Sequence, residues 1–481
     1  MTDIQANGGK FMYALKRIFL FFLLAATVST AVAQDAEPIL AMNTPAASPK
    51  PNGAFLTLDD AVKTALENNL SLQAASKGVR ASQWGVKKAY LDYLPQVNFN
   101  LQYTRLDQGT LDRANAFYNF VNDPANGQFL PDELRRNVRP GAWRNSYGPS
   151  VTVLQPIFTG GILSSQLGLA QALDVRSQAG LEATRQDVIF QTHNAYFQVL
   201  KAHELLALAE ESHRSAQEHL SNSKKMLEVG LRARNEVLRF EVALATAENN
   251  LVVAQNNLEL SRAGLNQVMG LNLEKEATLK PVEDFGWTAP RTLEEQTEIA
   301  LRRNPGVQVM KSNVSAQQAA VGVARSGFLP KVSLAYNYSW EANDTWAFDS
   351  IKSWSLGIAA SFPVFNSFQN YAGLQQQRET LQQVRKMEDD FVRVLQLQVK
   401  QASLNLGAAE KRMVITEKAV EEANENLRIV NNSYQVGLLS SLDVIDAEVS
   451  AQAAKASRID ARYDFFLAKA QLARAMGVLG R

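Results

Sequence analysis

Hydrophobic residues recur along this chain with two different periods, and the period changes at definite places. In residues 96–104, Val97, Phe99, Leu101 and Tyr103 fall on one side, and Gln96, Asn98, Asn100, Gln102 and Thr104 on the other. Residues 331–340 do the same: Val332, Leu334, Tyr336, Tyr338 and Trp340 oppose Lys331, Ser333, Ala335, Asn337 and Ser339. Trp354, Leu356, Ile358, Ala360 and Phe362 form a further alternating run, and 150–155 a weaker one. A period of two predicts β-strands, four in all. Elsewhere the period is seven. Val237, Leu244, Leu251, Leu258 and Leu265 form one seam, with Phe240, Ala247, Ala254, Ser261 and Val268 as its companion. Ala447, Ala454, Ala461, Ala468 and Ala475 form another. Sustained heptads predict helices supercoiled on a partner, and alanine in the seam permits close approach.

Proline placement sets the length of these helices. Pro156 is followed by no proline until Pro281, and Pro363 by none to the last residue. Both stretches are free to be helical throughout. Gly230 and Gly437 each sit in a Val-Gly-Leu triplet, where glycine predicts a helix stop and a hairpin. A helix over 162–228 would be ~100 Å long at ~1.5 Å per residue, too long for a small globular domain.

The pattern occurs twice. At an offset of 235, Thr57-Leu58-Asp59-Asp60 becomes Thr292-Leu293-Glu294-Glu295, Asn69 becomes Asn304, and Leu94-Pro95 becomes Leu329-Pro330. Further on the offset is 207: Pro156-Ile157-Phe158 becomes Pro363-Val364-Phe365, Val229-Gly230-Leu231 becomes Val436-Gly437-Leu438, and Met269-Gly270 becomes Met476-Gly477. The change in offset places a loop 28 residues longer in the first half, between about 105 and 147. The chain therefore divides into a first repeat, 55–280, and a second, 281–481, each ordered helix, strand, loop, strand, long helical hairpin.

Composition adds exclusions. Lys plus Arg is 49 and Asp plus Glu is 48, so there is no basic footprint for nucleic acid. Cysteine is absent, which removes disulfides, thiolate metal sites and a thiol nucleophile. Lys16-Arg17, the apolar run 18–28 and Ala31-Val32-Ala33 read as a secretory signal over 1–33, with Met12 an alternative start and a Pro- and Ala-rich leader over 34–54. Eleven apolar residues are too few to span a bilayer, which takes ~20. No phosphate loop, nucleophile elbow or His-Glu-x-x-His occurs, so no enzyme, cofactor or metal site is expected. His193, His203, His213 and His219 share one long helix, but no two are four apart.

Alternation alone fits a small soluble sheet as well as membrane strands. The long helices favour the second reading, since they leave nothing to cover a sheet. Four strands cannot close a barrel, which needs about eight, and open edges do not survive in lipid. Several copies must then contribute, in a symmetric ring.

These features resemble the TolC family of outer-membrane efflux proteins over about 55–477. The motifs that carry the likeness are Leu94-Pro95 and Leu329-Pro330 before strands, Pro156-Ile157-Phe158 and Pro363-Val364-Phe365 after them, and the segment from Tyr434 to Glu448. The resemblance implies a mainly α fold with a β-barrel part: an internally duplicated TolC-like α/β barrel, with four strands per chain toward a twelve-stranded barrel in the cell outer membrane. It further implies a homotrimer whose coiled-coil helices extend into the periplasm. The partners it implies are a periplasmic adaptor (membrane fusion protein), an inner-membrane pump or ABC transporter, and outer-membrane lipid. By the same resemblance, Asp443, Asp446 and Tyr434 belong to the pore constriction or gate, and Val229, Gly230, Leu231, Val436, Gly437 and Leu438 to adaptor-contacting tips. This chain has Leu439 where the likeness suggests a basic residue, and Glu236 and Arg239 where the first repeat should match Asp443 and Asp446. The bland alternatives are a helix-terminal carboxylate for Asp443 and simple hairpin closure for the tips. The expected function is an exit duct of a tripartite efflux pump or type I secretion system. A non-conducting periplasmic coiled coil and an adaptor are the alternatives; the first leaves the strands unexplained, and the second lacks its β-rich block. Residues 106–145, with Arg135, Arg136, Arg139 and Arg144, are expected to form an extracellular loop; a plain solvated loop is the favoured reading, and a segment that shapes the mouth or faces lipopolysaccharide phosphates is the alternative.

Overall fold

A computed structural model describes residues 55–282, 286–290, 292–343 and 351–480; the expected signal and leader lie outside them. The chain divides into a strand-bearing unit, containing residues 93–159 and 330–362, and a helical unit, containing 55–92, 160–329 and 363–480.

The strand unit is one antiparallel sheet in the order β1-β2-β3-β4: β1 (Gln96–Arg105), β2 (Asn145–Phe158), β3 (Lys331–Asn343) and β4 (Ile351–Ser361). The register puts like beside like. Phe99 faces Val151, Val151 faces Tyr338, and Tyr338 faces Trp354. Val97, Val153, Tyr336 and Leu356 form the next apolar row. The opposite face carries Asn98, Thr152, Asn337 and Ser355, with Thr152 Oγ1 donating to Asn337 Oδ1 at 3.0 Å. Period-two side chains thus give the sheet one apolar and one polar face. Neither face is packed away: Val97, Phe99, Leu101, Trp354, Leu356 and Ile358 are exposed. Strand β2 is longer than the expected 150–155. Its alternation is weak because Pro149 lies where its pairing with β3 is interrupted and Pro156 lies at a bulge.

The expected loop between β1 and β2 is instead built from four short helices: α3 (Gln108–Ala114), α4 (Ala116–Asn122), α5 (Pro124–Gly127) and α6 (Asp132–Asn137). Asp107 and Asp123 cap α3 and α5 through their side chains.

In the helical unit, α1 (Leu58–Asn68) and α2 (Leu70–Leu91) precede the long helix α7 (Ile162–Glu228) and its return α8 (Arg234–Val268). The pattern then recurs with α9 (Leu293–Arg303), α10 (Pro305–Ser326), α11 (Gln369–Gln435) and α12 (Ser441–Ala475). Among the described residues no helix is long and apolar enough to cross a membrane. The predicted seams are used. Val237, Phe240, Ala247, Leu258 and Leu265 of α8, and Ala447, Ala461 and Ala468 of α12, are buried. Helix α7 packs against both α8 and α12, and α12 against α11.

Two asparagines close the ends of the return helices in the same way. Asn69 caps α2 and donates to the Val268 carbonyl at 3.1 Å; Asn304 accepts from Gly306 N and donates to the Ala475 carbonyl at 3.0 Å. Gly270 and Gly477, beside these clamps, have φ of 68° and 71°. All four hairpin and return-helix glycines end their helices by paired bonds: Leu231 N to Met226 O and Gly230 N to Leu227 O, repeated at Gly270, Gly437 and Gly477.

These glycines differ in surroundings, and that generates a test. A Cβ on Gly437 meets nothing, whereas on Gly477 it would stand 2.6 Å from the Arg303 and Asn304 backbone. Gly437→Ala should cost only the left-handed backbone, about 1–2 kcal/mol. Gly477→Ala should cost a further ~1–3 kcal/mol of overpacking. Thermal unfolding of the two variants side by side checks this; equal losses would contradict the packing.

Candidate functional site

The turn between α7 and α8 and the turn between α11 and α12 pack on each other. Between them lies a small apolar cluster of Leu220, Val237, Phe240, Tyr434 and Val444. Tyr434 is 5% exposed, edge-on to Phe240 with ring centroids 6.1 Å apart.

The residue that joins the two turns is Arg232, which the sequence reading did not single out. Its guanidinium lies 4.4 Å from the Tyr434 ring centre and donates to the Tyr434 carbonyl at 2.8 Å and the Leu439 carbonyl at 3.5 Å. It also faces Glu236, at 3.6 Å, with both side chains largely buried. One cation thus satisfies a helix C-terminal carbonyl and balances a buried carboxylate. The signal was available in the sequence: the offset of 207 that pairs the two repeats pairs Arg232 with Leu439. The basic group missing from the second turn is present in the first.

The joint is apolar but not fully satisfied. Ser223 Oγ, Glu236 Oε2, Asn431 Oδ1, Tyr434 Oη and Ser441 Oγ are all buried without a hydrogen-bond partner. Burial pushes the Tyr434 phenol above its ordinary value, against the pull of Arg232; the nearby Ser223 hydroxyl also lowers it but makes no well-formed bond. Each such group costs about 1–3 kcal/mol relative to a bonded one.

Asp443 and Asp446 are both exposed on α12, away from buried Val444 and Ala447. They share a helix face, as their spacing predicts. Asp443 accepts from Ser440 Oγ at 2.7 Å and Ser440 N at 2.8 Å, and these bonds hold its carboxyl below the usual range. Within one chain Asp443 is therefore a capping residue. Arg239 is exposed, whereas Glu236 is tied to Arg232. Val229, Leu231, Val436 and Leu438 are 68%, 73%, 72% and 78% exposed, and Gly230 and Gly437 hold φ of 76° and 84° between them. The turns thus present four bare apolar side chains.

Above the joint, His219 stacks on Phe240 and meets Glu448 Oε1 at 3.2 Å, where Ser215 Oγ also donates at 2.7 Å. Burial alone would raise the Glu448 carboxyl, but the bonds from His219 and Ser215 and the charges of His219 and Lys455 hold it below its ordinary value. His193 is buried, and burial lowers its pKa to about 4. Among the described residues no three His, Asp or Glu side chains converge as a metal site.

The sequence profile of the outer membrane efflux protein family matches residues 61–271 and 297–478. The chain belongs to that family. Outer membrane protein TolC of Vibrio cholerae is 25% identical over 303 residues, 62% of this chain and 69% of that one. Alkaline protease secretion protein AprF of Pseudomonas aeruginosa is 23% identical over 346 residues, 70% of each chain. The crystal structure of the Campylobacter jejuni CmeC outer membrane channel superposes with a TM-score of 0.74 at 18% identity, covering 88% of this chain and 85% of that one. The fold is the TolC-like one that the resemblance implied, and the chain is an outer-membrane exit duct with a periplasmic helical part.

The joint can be tested apart from transport. Arg232→Ala removes two carbonyl donors and leaves Glu236 uncompensated, and should loosen the tips by ~3 kcal/mol. Tyr434→Phe removes a hydroxyl that makes no bond and should stay within about 1 kcal/mol of the parent. Hydrogen exchange of the two turns reads both; protection lost in Tyr434→Phe but kept in Arg232→Ala would contradict the assignment.

Proposed function

We propose that three copies of this chain form a passive tube whose narrowest point lies at the α11–α12 turn. The observation that carries this reading is the sheet: one apolar face, one polar face and, among the described residues, two unpaired edges, so its four strands are at most about half of a closed barrel and cannot close alone; the number three follows from the likeness to the TolC family. Three copies give twelve strands, the polar face lining water and the apolar face meeting lipid.

At the tip, exposed Asp443 and Asp446 would form two carboxylate rings around the axis. Such rings favour cations and repel anions. Asp446 supplies the freer charge, because Ser440 already holds Asp443. Arg232 keeps the two turns of each copy together, so the rings narrow the tube while that contact lasts.

The four apolar side chains Val229, Leu231, Val436 and Leu438 are the docking points for the helical hairpins of a periplasmic adaptor, which links the tube to an inner-membrane pump or ABC transporter. Energy comes from that partner, since the chain carries no nucleotide-binding loop. The chain performs no catalysis and holds no cofactor in this reading. The two sequence repeats, 55–280 and 281–481, supply one tip each.

Single-channel recording of the purified trimer tests the constriction. The parent should give small, cation-selective steps, and Asp443→Ala/Asp446→Ala should lose most of that selectivity. Unchanged selectivity in the double variant would remove these residues from the constriction while leaving the channel in place.

A further inference from the structure

The four short helices between β1 and β2 make a folded cap with its own fastenings. Asn115 Nδ2 donates to the Ala142 carbonyl at 2.8 Å, and Ala142 N donates back to Asn115 Oδ1 at 2.9 Å, so the start of α4 is clamped to the strand-ward end of the segment. Val121, on α4 itself, is wholly buried. Gly127 passes so close that a Cβ there would stand 2.8 Å from the Val121 carbonyl, with the Arg135 stem 3.5 Å away. Helices α4, α5 and α6 therefore form one small body.

This body buries few of its aromatic side chains. Phe117, Phe120 and Phe129 are 62%, 53% and 81% exposed, and Trp143 38%. Phe117 and Phe120 lie three apart on α4, on a common face. The charges are arranged just as unevenly. Asp107 and Asp123 are spent as helix caps, Asp112 bonds Gln108, and Asp132 pairs with Arg135. From Leu134 to Arg144 there are four arginines and no acid. Arg136 and Arg139 are exposed and, among the described residues, carry no ion pair.

The same small body thus carries bare phenylalanines and unpaired arginines, a combination that matches an amphiphile with an anionic head. The guanidinium fork suits phosphate oxygens, and the rings suit acyl chains or the interface above them. The cap joins the strand ends opposite to those that continue into the periplasmic helices, at Leu91 and Ile162. On the barrel reading, on which this inference rests, it stands on the outer side of the membrane. We propose that the cap is a docking surface for the phosphorylated glycolipid of the outer leaflet, the lipid A class, gripped by Arg136 and Arg139 and seated on Phe117, Phe120 and Phe129. Among the described residues only the first repeat carries it, so a trimer would hold three such sites around the mouth.

Full-length trimer in mild detergent is mixed with bisphosphorylated lipid A, with the same lipid stripped of phosphate, or with inorganic phosphate, and bound lipid is counted by native mass spectrometry. The parent should retain the bisphosphorylated lipid at least about tenfold over the stripped one. Arg136→Ser/Arg139→Ser should abolish that preference, and Phe117→Ser/Phe120→Ser should lower retention of both lipids. Equal retention by parent and arginine variant would overturn the proposal. So would full displacement by inorganic phosphate together with no effect of the phenylalanine variant, which would describe a soluble-anion site. The same samples are recorded in a planar bilayer. A conducting trimer without lipid preference refutes the docking surface alone, whereas a non-conducting monomer refutes the barrel and the docking surface with it.

Discussion

The outer edges of β1 and β4 are the constraint on which the rest depends. In the sheet order β1-β2-β3-β4 each of these strands has a neighbour on one side only. In water an unpaired edge is tolerable; in hydrocarbon each bare N–H or C=O costs several kcal/mol. A chain that places this sheet in the outer membrane must therefore find its missing ladders on other copies of itself. The helical unit repeats the theme. Its contacts run from α8 through α7 and α12 to α11, with α10 also packed on both α7 and α11, and α8 and α11 carry exposed apolar side chains: Val242, Val252 and Leu260 on α8, and Leu397, Leu404 and Val414 on α11.

The tip is built on a different balance. Arg232 ties the two turns by charge-assisted bonds, yet hydroxyls on the same two turns, those of Tyr434 and Ser441 among them, are buried without hydrogen-bond partners. A joint meant only for stability would replace such groups by apolar ones of similar shape. Here attraction and cost lie in one small cluster. Helices α7 and α11, which end at these turns, are each a single uninterrupted helix of 67 residues.

Much of this was legible in the sequence, for physical reasons. Helix α7 runs over the predicted 162–228 because Gly161 and Gly230 stand just outside its two ends and no proline intervenes. Strand β1 was legible because every second side chain is apolar. Strand β2 was legible only over 150–155, and its extension to 145–158 was not, because sequence alternation fades toward Pro149 and Pro156, where its pairing is interrupted. Helices α3 to α6 are four to seven residues long, too short to show a period, and are held instead by the Asn115–Ala142 clamp between distant residues. Asp443 and Asp446 share a face as their spacing requires, but Asp443's bond to Ser440 reflects the turn, not the pore. Arg232 escaped notice because it breaks the likeness between the two repeats, yet that departure supplies the contact.

The absence of cysteine from the chain makes the central claim directly measurable. Single cysteines are placed in pairs along β1, at Asn98, Asn100 or Gln102, and along β4, at Ser353 or Ser355, and the protein is oxidised in outer-membrane preparations. If neighbouring copies close the barrel, one register of β1 against β4 will cross-link into covalent dimers and trimers. If every pair yields only monomer, the sheet edges are not joined between copies and the barrel account is wrong.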